Sequence, residues 1–253
     1  MISEPFTPKD SLIYRLDPRL KVILATIYSF VVALSSKIET LLGAIIFSLV
    51  LIVLSRLDIR EVFKRVAAVN GLILFLWLML PFTIEGAPLF HLGPFSVTRE
   101  GVLISLQITV KSNAILLAFI ALIASMPMTV LGHALNRLFI PEKMVLLLLL
   151  TYRYLFVMEQ EYQRLVRSVK IRGFRSGTNM HTYKTYAYLI GMLFVKASAR
   201  AERVHQAMLC RGFQRKFYSL YNFSISRTDW ICSAVMLSVI IGLALLELLK
   251  IIA

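Results

Sequence analysis

Residues 20–54 read LKVILATIYSFVVALSSKIETLLGAIIFSLVLIVL. Two apolar runs, Leu20–Ser36 and Ile38–Leu54, stand on either side of Lys37, and each has 17 residues. That is the short end of what crosses the roughly 30 Å hydrocarbon core of a bilayer as a helix. Neither run shows a polar face, and a helix apolar all round belongs in a membrane or a deep core. The stretch therefore predicts two spans joined by a tight turn. Working outward, Arg56–Arg65 holds four Lys/Arg against two acids and leads into a third apolar run, Val66–Ile84. Glu85–Gly101 has three Gly, two Pro, one His and a net charge of −1, the make-up of a loop. Val102–Ser125, interrupted by Lys111, predicts a fourth span, and Asp229–Ala253 a fifth.

The whole chain agrees. Of 253 residues, 58% are hydrophobic and 17% charged, against roughly 45–50% and about 25% in ordinary soluble domains. Mean hydropathy is +0.76. The formal net charge of +14 is concentrated: residues 128–228 hold 16 Lys/Arg and 4 Asp/Glu, whereas 1–127 hold 11 and 8. A charge confined to one block between spans does not suit a nucleic-acid reader, and no nucleic-acid partner is expected. It does suit anionic membrane lipid. Since Lys/Arg-rich flanks stay inside, Arg56–Arg65 and the basic block are expected in the cytoplasm and Glu85–Gly101 outside. The 19 residues before the first run carry no net charge, so no cleavable leader is expected. The expected fold is an all-α membrane protein of about five spans plus two long cytoplasmic helices. Its parts are 1–127 with four spans, a basic coupling region 128–228, and a last span 229–253.

Two stretches in the block, Val145–Val157 and Ala187–Val195, are apolar but short or interrupted. They are expected to touch the membrane or pack on its inner face rather than add a sixth span. Small residues repeat every four positions at Ala25, Ser29 and Ala33 and at Ala234, Ser238 and Gly242, a spacing that lets helices approach closely in lipid.

Chemistry is sparse. His91, His133, His181 and His205 are scattered, and no metal-binding or phosphate-binding motif occurs. Cys210 and Cys232 form no close pair and are expected to be reduced thiols. Lys111 is the only clear mid-span ion, and the pair Glu159 and Glu161 points to different sides of a helix. No catalytic residue, cofactor or metal site is expected.

The block's long helices are more informative. Pro141–Arg172 opens on Pro and Glu142, both favourable at a helix start. Tyr183–Arg211 is the second. The first ends Ile171-Arg172-Gly173-Phe174 and the second Cys210-Arg211-Gly212-Phe213. Gly after the last turn is an ordinary helix stop, and for one such ending capping is explanation enough. Two alike, 39 residues apart, suit a partner with two equivalent sockets, and Arg can hold a carboxylate with two hydrogen bonds. On the second helix Lys196, Arg200 and Arg203 are expected on one side. Ala197, Ala201, His205 and Met208 are expected on another, allowing a close helix crossing.

With these two endings, the sequence resembles the transmembrane T component of energy-coupling-factor transporters, the CbiQ/EcfT family, over nearly its whole length. Tyr14-Arg15-Leu16-Asp17-Pro18-Arg19-Leu20-Lys21 is similar to the family's opening segment, and Thr98-Arg99-Glu100-Gly101 to the start of its fourth span. Ile140-Pro141 and Tyr152-Arg153-Tyr154 are similar to patches leading into the first coupling helix. The family's helix endings are commonly Ala-Arg-Gly, and here Ile171 and Cys210 stand in the Ala positions. The resemblance implies a subunit of a prokaryotic cytoplasmic-membrane transporter that binds no nucleotide itself. Arg172 with Gly173 and Arg211 with Gly212 would dock on two ATP-binding cassette ATPases. Motion would pass to a separate substrate-binding membrane subunit. Gln206–Phe213 looks most like cobalt-type members, with nickel or a vitamin as alternatives. From another class, a scaffold whose basic block binds lipid stays open, as does an enzyme acting on lipid or prenyl substrates.

Overall fold

A computed structural model describes residues 13, 16–84, 88–92, 95–138, 140–213 and 227–252. They divide into two compact units, one drawn from residues 3–134 and 222–253, the other from 135–221.

The first unit is a helical bundle. Helix α1 (Pro18–Leu34) begins where Asp17 accepts the Arg19 N–H at 2.9 Å and Pro18 occupies the first turn, a start that offsets the orphan amides and presets φ. Helices α2 (Ile38–Ser55) and α3 (Ile59–Thr83) follow. The expected loop contains a two-stranded antiparallel hairpin, β1 (Pro88–Leu92) and β2 (Phe95–Thr98), with a register shift between Pro88 and Phe90. Helix α4 (Arg99–Leu122) starts on Thr98, whose Oγ1 accepts the Gly101 N–H at 3.4 Å. Helix α5 (Met128–Arg137) comes next, and α8 (Arg227–Ile252) returns to the bundle.

Among the described residues four helices are long and apolar enough to cross a membrane: α2, α3, α4 and residues 228–248 of α8. With its all-helical core this is an integral membrane protein of the expected class. The expected count of five falls to four on this criterion because α1 stops at 17 residues, about 26 Å of helix. It nonetheless packs inside the bundle, against α4 and α8. Ser55 at the end of α2 donates to the Ala121 carbonyl near the end of α4. Glu247 near the end of α8 accepts the Ser36 N–H at 2.9 Å and the Thr40 hydroxyl at 2.8 Å. Helices α2 and α4 therefore end on one face of the bundle, and α1 and α8 on the opposite face.

Helix α4 is the hub, touching α1, α2 and α3. Its seam is Ala114, Ala118 and Ala121, each 0% exposed, small enough for backbones to close in. The two small-residue stripes expected from the sequence are not the packing seams. On α1 the buried line runs Lys21, Leu24, Ala25, Tyr28 and Val32, leaving Ala33 exposed. On α8 it runs Met236, Ile240 and Leu243, with Ala234 and Ser238 exposed. Larger side chains won because each lies opposite a small partner: a Cβ on Gly43 of α2 would sit 3.0 Å from Leu243, and Tyr28 donates to the Ala44 carbonyl at 2.8 Å. Lys111 donates to the Ala33 carbonyl at 3.1 Å, at the negative end of α1.

The second unit contains the long helices α6 (Glu142–Ile171) and α7 (Met180–Cys210). Val145–Val157 and Ala187–Val195 are interior parts of them, and neither helix counts among the candidate spans. Helix α7 starts three residues before the expected Tyr183, with Asn179 in extended backbone just ahead of it.

Candidate functional site

Both long helices stop by the same chemistry. At the end of α6 the Gly173 N–H donates to the Lys170 carbonyl at 3.0 Å and the Phe174 N–H to the Val169 carbonyl at 3.3 Å. At the end of α7 the Gly212 N–H donates to Leu209 at 2.9 Å and the Phe213 N–H to Met208 at 3.1 Å. Each end thus satisfies two orphan carbonyls through a glycine in the left-handed region, with φ of +84° at Gly173 and +75° at Gly212. The glycines are there for the turn. The arginines are not needed for it: Arg172 and Arg211 supply only backbone to these bonds, and their side chains are exposed. Among the described residues neither guanidinium has an ion pair or hydrogen bond.

The phenylalanine after each glycine folds back and stiffens the end. Phe174 packs edge-on against Tyr186 at 6.0 Å and lies 6.1 Å from His181. Phe213 lines a cavity of about 530 Å³ between α6 and α7. These contacts, with one between Glu161 and Lys196, show that the helices run antiparallel. The end of α6 lies beside the start of α7, and the end of α7 beside the start of α6. The site residues are therefore not brought together. Each helix is about 45 Å long, so Arg172 and Arg211 sit on the order of 40 Å apart, at opposite ends of the pair.

Lys196 and Arg200, one turn apart on α7, both act on Glu161, and Arg200 also reaches the side of the small residues. It lines the cavity together with Ala201, His205 and Met208 of α7 and with Leu150 and Tyr154 of α6.

The residue that sequence reasoning passed over is Glu161. It is 8% exposed, accepts a hydrogen bond from the Lys196 ammonium and lies 3.7 Å from the Arg164 guanidinium. The Lys196 hydrogen bond above all, then the positive charges of Lys196, Arg164 and Arg200, hold its carboxyl below the usual carboxylate range despite its burial. Arg164 three residues on was visible as a helix-face partner. Lys196, 35 residues away, left no mark in the local pattern.

Among the described residues no group of three or more His, Cys, Asp or Glu is placed to hold a metal ion. A family model, CbiQ, described as a cobalt transport protein, matches residues 9–219. The chain belongs to the CbiQ family. Among curated relatives, the energy-coupling factor transporter transmembrane protein EcfT of Leuconostoc gelidum subsp. gasicomitatum is 29% identical over 233 residues, covering 86% of this chain and 87% of that protein. The protein of the same name from Bacillus subtilis is 28% identical over 227 residues, 85% of each chain. The one from Streptococcus equi is 29% identical over 257 residues, 95% of this chain and 93% of its own. In this CbiQ-family chain the segment 98–101 has a direct structural reason. Thr98 caps α4 while donating to the Ile84 carbonyl at 2.8 Å. Gly101 lies so close to α3 that a Cβ there would be 2.7 Å from the Pro81 Cα.

Proposed function

We propose that this protein is the transmembrane coupling subunit of an ATP-driven energy-coupling-factor uptake transporter, with cobalt as its cargo. It is not itself an enzyme. Two ATP-binding cassette ATPases hydrolyse the nucleotide, and a separate membrane subunit binds the substrate. Residues 1–127 and 229–253 sit in the cytoplasmic membrane of a prokaryote, and the basic region 128–228 lies on its cytoplasmic side, where anionic lipid also meets it. The names of the relatives support the transporter class, and the family description favours cobalt.

One observation carries the coupling role. Two helix ends of the same hydrogen-bonding pattern each present an arginine whose side chain has no partner among the described residues, at opposite ends of an antiparallel pair. A planar guanidinium on a rigid end, aimed outward, is built to be received by an acceptor on another chain. Two such ends match two ATPase subunits, and movement of the sockets is transmitted along the helices.

The test is co-purification from detergent with the ATPase pair, comparing wild type with Arg172→Lys/Arg211→Lys. Lys keeps the charge and loses the fork. ATPase is expected to be lost from this variant, and Arg172→Ala or Arg211→Ala to weaken docking by roughly 2–5 kcal/mol through removal of one partner of a buried pair. Equal ATPase in both would refute docking through these arginines and favour a lipid-binding scaffold.

A further inference from the structure

The α6–α7 pair is held together in an unusual way. Helices of 30 and 31 residues bury only Val145, Glu161, Thr182 and Leu189. Beside Tyr154 and Ala201 they part around a cavity. Apolar side chains along the pair, among them Leu165, Val169, Leu193 and Val204, are only half-buried, and among the described residues the charge buried on these helices is Glu161, its side chain 11% exposed against Lys196 at 45%. That contact falls near the middle of both helices. Glu161 lies about 16 Å of helix from Arg172, and Lys196 about 22 Å from Arg211.

We propose that Glu161 and Lys196 form the pivot on which α6 and α7 turn against each other, positioning the two arginine ends. The inference rests on the coupling reading and deepens it. A packed apolar core would lock one crossing angle, since close-packed interiors resist continuous deformation. A single ion pair fixes the crossing point and leaves the angle free, and fixing register is the best-attested use of a buried charge pair. The carboxylate also holds three cations together, because Lys196, Arg164 and Arg200 all act on it. Without its charge they repel, and the crossing loosens where the apolar side chains are only half-buried. Glu161 is thus a positioning residue. It acts through the helix crossing and decides whether a push at Arg172 moves Arg211.

The experiment uses the full chain in detergent with Cys210→Ser and Cys232→Ser, and spin labels on Ser168→Cys and Gln206→Cys, two exposed positions near the helix ends. Electron-resonance distance distributions are recorded for the subunit alone and with the ATPase pair, with and without a non-hydrolysable ATP analogue. The variants are Glu161→Gln and the swap Glu161→Lys/Lys196→Glu. Wild type is expected to give a distribution bounded by the fixed crossing point, and nucleotide shifts its centre. In Glu161→Gln the distribution broadens and the shift is lost while bound ATPase stays at the wild-type level, and the swap restores both. An unchanged width and shift in Glu161→Gln overturns the pivot. So does a variant that broadens but binds no ATPase, since the pair would then be needed for docking. If wild type itself binds no ATPase, the coupling reading fails. The widths of the isolated subunit then still decide whether the pair positions the ends.

Discussion

Replacing Gly212 by alanine separates the turn from the arginine beside it. Gly212 has φ of +75°, and nothing lies within 4 Å of a Cβ built there. No clash opposes the methyl group, so the whole cost is the left-handed backbone of an L-residue, about 1–2 kcal/mol. That penalty falls on the closing bonds to Leu209 and Met208, at 2.9 and 3.1 Å. A local opening made easier by that amount raises amide exchange of positions 212 and 213 roughly 5- to 30-fold. Hydrogen exchange followed by mass spectrometry on the 205–213 peptide reads this directly, with the 166–174 peptide at the other end as an unaffected internal reference. Gly173→Ala should reverse the two roles. Arg211→Lys should leave exchange at both ends unchanged, because the arginine side chain is outside the hydrogen-bonded turn. Unchanged exchange in Gly212→Ala, or a rise spread over both helices, would refute the assignment of the glycine to capping.

The remaining predictions concern packing and charge. Gly101→Ala places a Cβ 2.7 Å from the Pro81 Cα and 2.9 Å from the Leu80 carbonyl. Both are backbone atoms, so α3 and α4 must part, at about 1–3 kcal/mol. A thermal melt in detergent should show this as an apparent Tm lower by roughly 2–10 °C. Gly71→Ala, with nothing within 4 Å, should instead gain about 0.5–1 kcal/mol by removing a glycine from mid-helix, and equal melts for the two variants would contradict the close approach at Gly101. The depressed Glu161 carboxyl stabilises the α6–α7 contact above its unfolded value of about 4.3, and that contribution disappears as pH falls through the lower folded value. Exchange protection around residues 158–164 should therefore hold from neutral pH down past 4.3 and drop only in stronger acid. A loss centred above pH 5 would contradict the pairing.

The readable parts of this chain are those decided locally. A run of apolar residues as long as a leaflet pair is thick needs helix, because lipid offers nothing to an open backbone. Asp17-Pro18, Thr98 and the Arg-Gly-Phe endings act within one turn, so they mark helix ends wherever the bundle places them. Residue pairs distant along the chain were illegible for the same reason. Nothing near Glu161 points to Lys196, and nothing near Lys111 points to the Ala33 carbonyl.

Packing faces were misjudged where the sequence offered equal choices. In a span, lipid is as apolar as leucine, so hydrophobicity does not say which side of a helix turns inward. Ala25-Ser29-Ala33 and Ala25-Tyr28-Val32 are both acceptable seams on α1. Gly43 and the alanines of α4, supplied by other helices, decided for the larger side chains. Likewise the Arg-Gly endings were visible as a pair, but their placement at opposite ends came from the antiparallel passage of α6 along α7. The sequence by itself determined the membrane class, the helix ends and the exposed chemistry of Arg172 and Arg211, since each depends on interactions spanning a few residues. Only the tertiary structure decided the bundle seams, the cavity that draws in Arg200 and the lone ion pair at the crossing, because each needs a partner that chain distance hides and three-dimensional packing supplies.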